Sequence, residues 1–229
     1  MGVSCIEISI EPGDNLSSAL SVFASSRPIY QVIKLSFLKS DLIFEIQEEG
    51  FRFAEVITLC KRTAQTPKLN GFQSRFVSST LCEISSENQK LEVKKAIDSG
   101  MFNTDRVSID PAFTKLQAAN RYWGWLNDEI QSGASLYSLI HDDNAVGFFL
   151  LRNVGDDEFR APIGGIFPKY LDRGYGLCLN FHEIKEAETQ GAKTVSVAYS
   201  SNNPVVGQIN KILGYKEISS RYVFVRHQK

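Results

Sequence analysis

Apolar side chains recur along this chain with two periods, and the switches between them mark out its elements. Ile6, Ile8 and Ile10 alternate with polar residues and predict a strand. Leu16, Ala19, Leu20 and Phe23 return at threes and fours, so a helix follows, with Asp14 as its expected cap. Gln31 to Leu38 reads as a strand, Leu42 to Glu49 as a helix closed by Gly50, and Arg52 to Leu59 as another strand. The pattern then weakens. From Cys60 to Gly71 the chain is polar, with Pro67 and Gly71 as breakers, and polar residues gather again around Ser85 to Lys95. This predicts an N-terminal α/β region over 1–95 and a larger domain over 96–229.

In the second half, Leu116, Ala119, Tyr122, Trp123 and Leu126 give helical periodicity between Pro111 and Ser132. Ser135–His141 and Val146–Arg152 form a predicted hairpin around Asp142-Asp143-Asn144, and Phe159–Phe167 is a third strand. A helix is expected from Tyr175 to Gln190, a strand over Val195–Tyr199, a helix over Asn203–Leu213 and a last strand over Arg221–Arg226. Strands, helix, strand, helix, strand is an α+β order of mixed α/β character.

Composition narrows the function classes. A net charge of −1 leaves no basic surplus to grip nucleic acid or an anionic membrane. No apolar run reaches the roughly 18 residues of a membrane span, and the N-terminus does not read as a secretory signal, so a cytoplasmic location is expected. Ile6 stands where a myristoylation signal needs Ser or Thr. The four cysteines, at 5, 60, 82 and 178, form no Cys-x-x-Cys pair, and the three histidines have no ligand spacing. Reduced structural thiols and no metal are expected.

The candidate chemistry lies in Lys169-Tyr170-Leu171-Asp172-Arg173-Gly174-Tyr175-Gly176-Leu177, which joins a strand to a helix. Free backbone N–H groups and the helix dipole favour an anion there, and glycines let it approach the backbone. Arg173 and Lys169 would add charged contacts. The loop lacks the Gly-Lys-Ser/Thr ending of an ATP-binding loop and the third glycine of a dinucleotide fold. A pyrophosphate cradle of another kind is the remaining functional reading, beside that of a plain turn.

This loop, the helix after it and the strand Val195–Tyr199, with Asn203, Gly214 and Tyr215, resemble the GNAT acetyltransferases. The family loop is Gln/Arg-x-x-Gly-x-Gly/Ala. Here both glycines match, and Leu171 departs at the first position. The family's last motif, Asn, a helix and Leu-Gly-Phe/Tyr, is matched by Asn203, Leu213, Gly214 and Tyr215. The resemblance implies a GNAT fold, with a central mixed, mostly antiparallel sheet flanked by helices and an additional N-terminal α/β region. It implies acetyl-CoA as acyl donor and CoA as product. Gly165, Ile166 and Phe167 would hold the thioester through backbone N–H groups, and Lys169, Arg173, Gly174, Tyr175, Gly176, Leu177 and Asn203 would hold the cofactor. Many members carry a tyrosine acid four residues before the last glycine. Asn210 stands there and is expected to contact the cofactor arm, which leaves Tyr222 and Tyr199 as candidate acids. Candidate bases for the amine proton are Asp110, Asp128 and Glu129.

Met101 to Pro111 and the helix carrying Arg121-Tyr122-Trp123-Gly124-Trp125 further resemble the TDP-fucosamine N-acetyltransferase group. That resemblance implies a nucleotide-linked deoxyamino sugar as acceptor, with Arg106, Tyr122 and Trp125 as its contacts, and a homodimer. Packed core aromatics are the alternative for Tyr122 and Trp123. A GNAT enzyme acting on another amine and an acyl-CoA sensor without turnover stay open, the second because Asn210 occupies the acid position.

Overall fold

The structure, a computed structural model, describes residues 2–228. Among them the chain order is β1 (Cys5–Ile10), α1 (Leu16–Ser26), β2 (Tyr30–Ser36), α2 (Ile43–Glu48), β3 (Arg52–Thr63), α3 (Gly71–Ser78), β4 (Leu81–Ile84), α4 (Glu87–Asp98) and α5 (Lys115–Gln131). There follow β5 (Ser135–His141), β6 (Asn144–Gly155), β7 (Glu158–Ala161), β8 (Gly164–Ile166), α6 (Tyr175–Thr189), β9 (Thr194–Ser200), α7 (Pro204–Ile212) and β10 (Lys216–His227). The strands make one mixed sheet in the order β1-β2-β10-β3-β9-β7-β6-β5-β4, with β8 continuing on β6. Among the described strands only β1–β2 and β7–β9 are parallel; the other pairs are antiparallel.

Alternation along each strand sends side chains to two faces. On the first face, Leu179, Ile184 and Ala187 of α6 bury Val195, Val197, Phe149 and Leu151, while Leu16, Ala19 and Phe23 of α1 and Ile46 of α2 cover Ile33, Leu35 and Phe224. On the second face, Val93 and Ile97 of α4 and Tyr122 and Leu126 of α5 cover Leu136, Phe148 and Leu150. Each large apolar side chain buried in these layers contributes about 1.5–3 kcal/mol. The helices leave part of the second face bare: Arg160 on β7, Ala198 on β9 and Lys216 on β10 are exposed.

Several expectations need correction. Asn15 caps α1, accepting from Ser18 N at 2.9 Å, whereas Asp14 turns back to Glu11 N. The strand expected to end at Leu59 runs to Thr63, and the polar stretch beyond it holds α3, β4 and α4. Both helices start on capping boxes, Asn70 with Gln73 and Ser86 with Gln89. The strand expected over Phe159–Phe167 breaks after Ala161, at Pro162, which has no N–H for a ladder. A boundary at 95/96 falls inside α4, and β3 from the first region lies between β9 and β10 of the second.

Candidate functional site

The break at Pro162 shapes the site. Rungs between β7 and β9 end at Ala161 and Val197, after which β8 pairs only with β6, and Ala198–Ser200 only with β3. The two strands therefore splay, and each presents an unpaired backbone edge to the gap. Phe167 N donates to Val146 O at 2.9 Å, and Leu150 N to Ile163 O at 2.8 Å. In an antiparallel ladder bonded and non-bonded residues alternate, so Ile163, Gly165 and Phe167 turn their backbone toward β6. Of the amides at Gly165, Ile166 and Phe167 expected to hold a thioester, only that of Ile166 faces the gap.

The chain leaves β8 through one 3-10 turn at Pro168–Tyr170 and enters α6 through Leu171–Gly174. Gly174 takes φ +83°, a left-handed conformation costly for any residue with a Cβ, and a Cβ there would also stand 3.2 Å from Phe76. No side chain caps α6. Leu177 N reaches Gly174 O, but the N–H groups of Gly174, Tyr175 and Gly176 have no partner among the described residues. At Gly176 a Cβ would meet Ile209 Cδ1 at 2.9 Å, so α6 and α7 press together there. Lys169 and Arg173 both lie over the ring of Tyr170, at 4.6 and 5.6 Å. Tyr175 is a core side chain stacked on Phe76, and Leu177 packs against the same core, so Tyr175 offers a ligand its backbone N–H, whereas that of Leu177 is taken by Gly174 O.

Asn203 starts α7, and its side chain makes no hydrogen bond among the described residues. Asn210 is 1% exposed in the seam between α6 and α7; its Oδ1 accepts from Asn180 Nδ2 at 3.1 Å, and its Nδ2 is buried without a partner. A buried orphan donor costs about 1–3 kcal/mol. The open amides of the loop, the left-handed Gly174 and this unsatisfied amide suit a ligand with a pyrophosphate and an amide-bearing arm.

The proposed acids and bases are scattered. Tyr222 faces α1 and α2, stacked on Phe37 at 4.2 Å, two strands from β9. Tyr199 lies beside the gap, but its hydroxyl donates to Glu217 at 3.0 Å, and burial with that carboxylate raises its pKa. Asp110 is held by His227 Nε2 at 2.8 Å, near the far end of β10. Asp128 is exposed, and Glu129 binds Arg152 at 3.0 Å and Trp125 Nε1 at 3.1 Å. Neither Asp110 nor Tyr222 belongs to the gap.

The acceptor contacts divide in the same way. Arg106 is 4% exposed, with its guanidinium spent on Glu7 and Glu55. Burial opposes its charge, and Glu7, Tyr30 and Glu55 outweigh burial and raise its pKa. Tyr122 is core, stacked on Phe102 at 4.2 Å, with its pKa raised by burial and then Asp105. Only Trp125 is half-exposed, on the α5 face above the second side of the sheet. Met101 and Phe102 lie directly over Gly165.

Sequence reading missed a pair at the β9 side of the gap. Glu55 is 2% exposed on β3, and its Oε2 accepts from Ser200 Oγ at 2.6 Å, on the free end of β9. Ser200 Oγ also accepts from Asn202 N at 3.1 Å. The signal was a lone carboxylate inside the mainly apolar run 53–60. Cys178 is fully buried, which pushes its thiol up to about 11 and leaves it unreactive. No cluster of three metal-ligating side chains occurs among the described residues.

No protein-family model and no curated protein matches the chain. Solved structures do. A GCN5-related N-acetyltransferase from Sphaerobacter thermophilus superposes with a TM-score of 0.57 at 10% identity, over 86% of this chain and 59% of its own. One from Kribbella flavida gives 0.60 at 13% identity, over 97% and 79%. A tandem GNAT protein from the clavulanic acid biosynthesis pathway gives 0.59 at 9% identity, over 99% and 76%. The chain thus spans little more than half of the first of these. At such identities the likeness is one of architecture, and the chain has the GNAT fold.

Proposed function

We propose that this chain is an acyl-CoA-dependent N-acetyltransferase, and that its acceptor is the primary amine of a nucleotide-linked deoxyamino sugar. The splay of β8 from β9, next to the uncapped glycine start of α6, carries the first part. One feature opens a slot with unpaired backbone on both walls, and the other supplies free amides for a pyrophosphate at its mouth. The acceptor class rests on the sequence resemblance and on Trp125 beside the bare sheet face. The cytoplasmic location and homodimer belong to the same reading, and residues 1–95 complete the sheet through β3 and supply Glu55.

Acetyl-CoA would supply an acyl group activated as a thioester. The N–H of Ile166, on the open edge of β8, is placed to receive the developing oxyanion. Ser200, bonded to Glu55, is placed to take the amine proton in the role expected of Asp110. Asn210 is the residue we assign to the cofactor arm, because its buried Nδ2 lacks a partner. A second reading, a sensor that binds acyl-CoA without turnover, is favoured by the lack of a free acid at position 210.

Thiol release from acetyl-CoA, measured against TDP-4-amino-4,6-dideoxygalactose, amino acids and short peptides, tests the proposal. Turnover on the nucleotide sugar is expected. Thermal stabilisation by CoA should disappear in Gly174→Val while the variant still unfolds cooperatively; retained stabilisation would remove the cradle assignment. Stabilisation without turnover on any amine would select the sensor.

A further inference from the structure

An unusual row crosses the second face, exposed at Arg160 and Lys216 and closed over at Ser196, which is buried. Arg152 on β6 stands directly opposite Arg160 on β7, Arg160 opposite Ser196 on β9, Ser196 opposite Lys61 on β3, and Lys61 opposite Lys216 on β10. The register therefore places four cations in one line across five strands, a span of about 19 Å at the usual strand spacing. Two of its contacts are like-charged pairs directly opposed, an arrangement that destabilises a sheet. Carboxylates answer only half of it. Glu158 binds Lys61 and also accepts from Ser196 Oγ, and Glu129 binds Arg152. Arg160 and Lys216 are exposed and have no carboxylate partner among the described residues.

Position gives the row a use. It lies one rung before Ala161 and Val197, where the strands part, and on the face that Ser200 and Glu55 share. Trp125 hangs over its Arg152 end through Glu129. The cradle at α6 lies on the opposite face, against the α7 seam. We propose that this row is the anion subsite of the acceptor, and that Arg160, with Lys61 and Lys216, holds a phosphate or diphosphate ester on the amine-bearing molecule. The assignment rests on the acetyl-transfer reading for its role. A planar guanidinium free of partners is suited to two phosphate oxygens, and an anion there would relieve the repulsion between Arg152 and Arg160.

Inorganic pyrophosphate, titrated by calorimetry into the protein with CoA present in excess to fill the cradle, is the probe. Arg160→Ala should weaken it by about tenfold or more, the loss of one charge-assisted contact, and adding Lys216→Ala should weaken it further. CoA affinity should not change, and the ligand-free melting temperature of Arg160→Ala should match or exceed that of the parent. Unchanged pyrophosphate binding, or succinate binding as well with the same dependence on Arg160, would overturn the assignment. So would a fall in the ligand-free melting temperature together with CoA affinity, because Arg160 would then be structural. If CoA fails to bind at all, the cofactor reading falls; pyrophosphate binding lost in Arg160→Ala but kept in Gly174→Val would still establish the row.

Discussion

Glu55 and Asp110 show how much a carboxylate's neighbours decide. Asp110 faces a histidine at the far end of β10, while Glu55 carries an arginine on one oxygen and a serine hydroxyl on the other. The guanidinium keeps Glu55 paired, and Ser200 extends its reach to the open edge of β9. In the proposed acetyl transfer, the proton leaving the ammonium group passes to Ser200 Oγ as the hydroxyl proton moves to Glu55. Ser200→Ala should lower kcat/KM near pH 7 by about a hundredfold, the lower end for general base catalysis, and recover as the pH approaches the pKa of the free amine. A pH–rate profile parallel to the parent's would remove Ser200 from the proton path. From sequence, Asp110 and Glu55 are two carboxylates of equal standing, because the pairing that separates them joins residues more than a hundred positions apart.

At the scale of elements, α6 combines the cradle with an unusual buried side: Asn180, His182 and Glu183 all lie within the core. Burial pushes Glu183 up to about 8, and burial followed by Lys185 pushes His182 down to about 4. From the ordinary carboxyl value of 4.5 up to about 8, the folded protein keeps a proton on Glu183 that the unfolded chain releases, so stability falls as pH rises. From about 4 to the ordinary imidazole value of 6.5 only the unfolded chain binds the His182 proton, so stability rises with pH. The two slopes offset up to about pH 6.5, and above it Glu183 alone removes at most about 1.4 kcal/mol per pH unit. Glu183→Gln should flatten urea-unfolding stability between pH 6.5 and 8.5; an equal decline in both proteins would place the slope on other groups.

Legibility also varied by element. The hairpin of β5 and β6, and α6, β9 and α7 were readable because apolar periodicity, turn residues and stop glycines agree. The helices α3 and α4 were not, since their apolar stripes are short and their surfaces polar, although their capping boxes were present. The break between β7 and β8 hung on one proline. The glycine loop was readable as a cradle, but which amides face the gap depends on strand pairing, and the basic row depends on the register of five strands.

Across the whole molecule, Arg106 is a brace. It leaves the segment between α4 and α5 and reaches Glu7 on β1 and Glu55 on β3, so one side chain ties both halves of the chain. Arg106→Ala would strand a buried carboxylate and should cost about 3–5 kcal/mol, seen as a lower denaturant midpoint. As an acceptor contact it would instead raise KM at unchanged stability, and that outcome would reverse the assignment.

The insertion of β3 between β9 and β10 has a further consequence, for the timing of folding. During synthesis, β1 and β2 can pair as soon as they emerge, but β3 has no neighbour among the strands made before it. It waits, with Val56, Leu59 and Cys60 uncovered, until β9 and then β10 are made more than a hundred residues later. Sheets closed by such distant pairings form slowly, and an unpaired apolar strand is what chaperones bind and what aggregates when they are scarce. Ser200 and Glu55 come together only in the β9 step, so the proposed proton path cannot form before β3 has waited for β9.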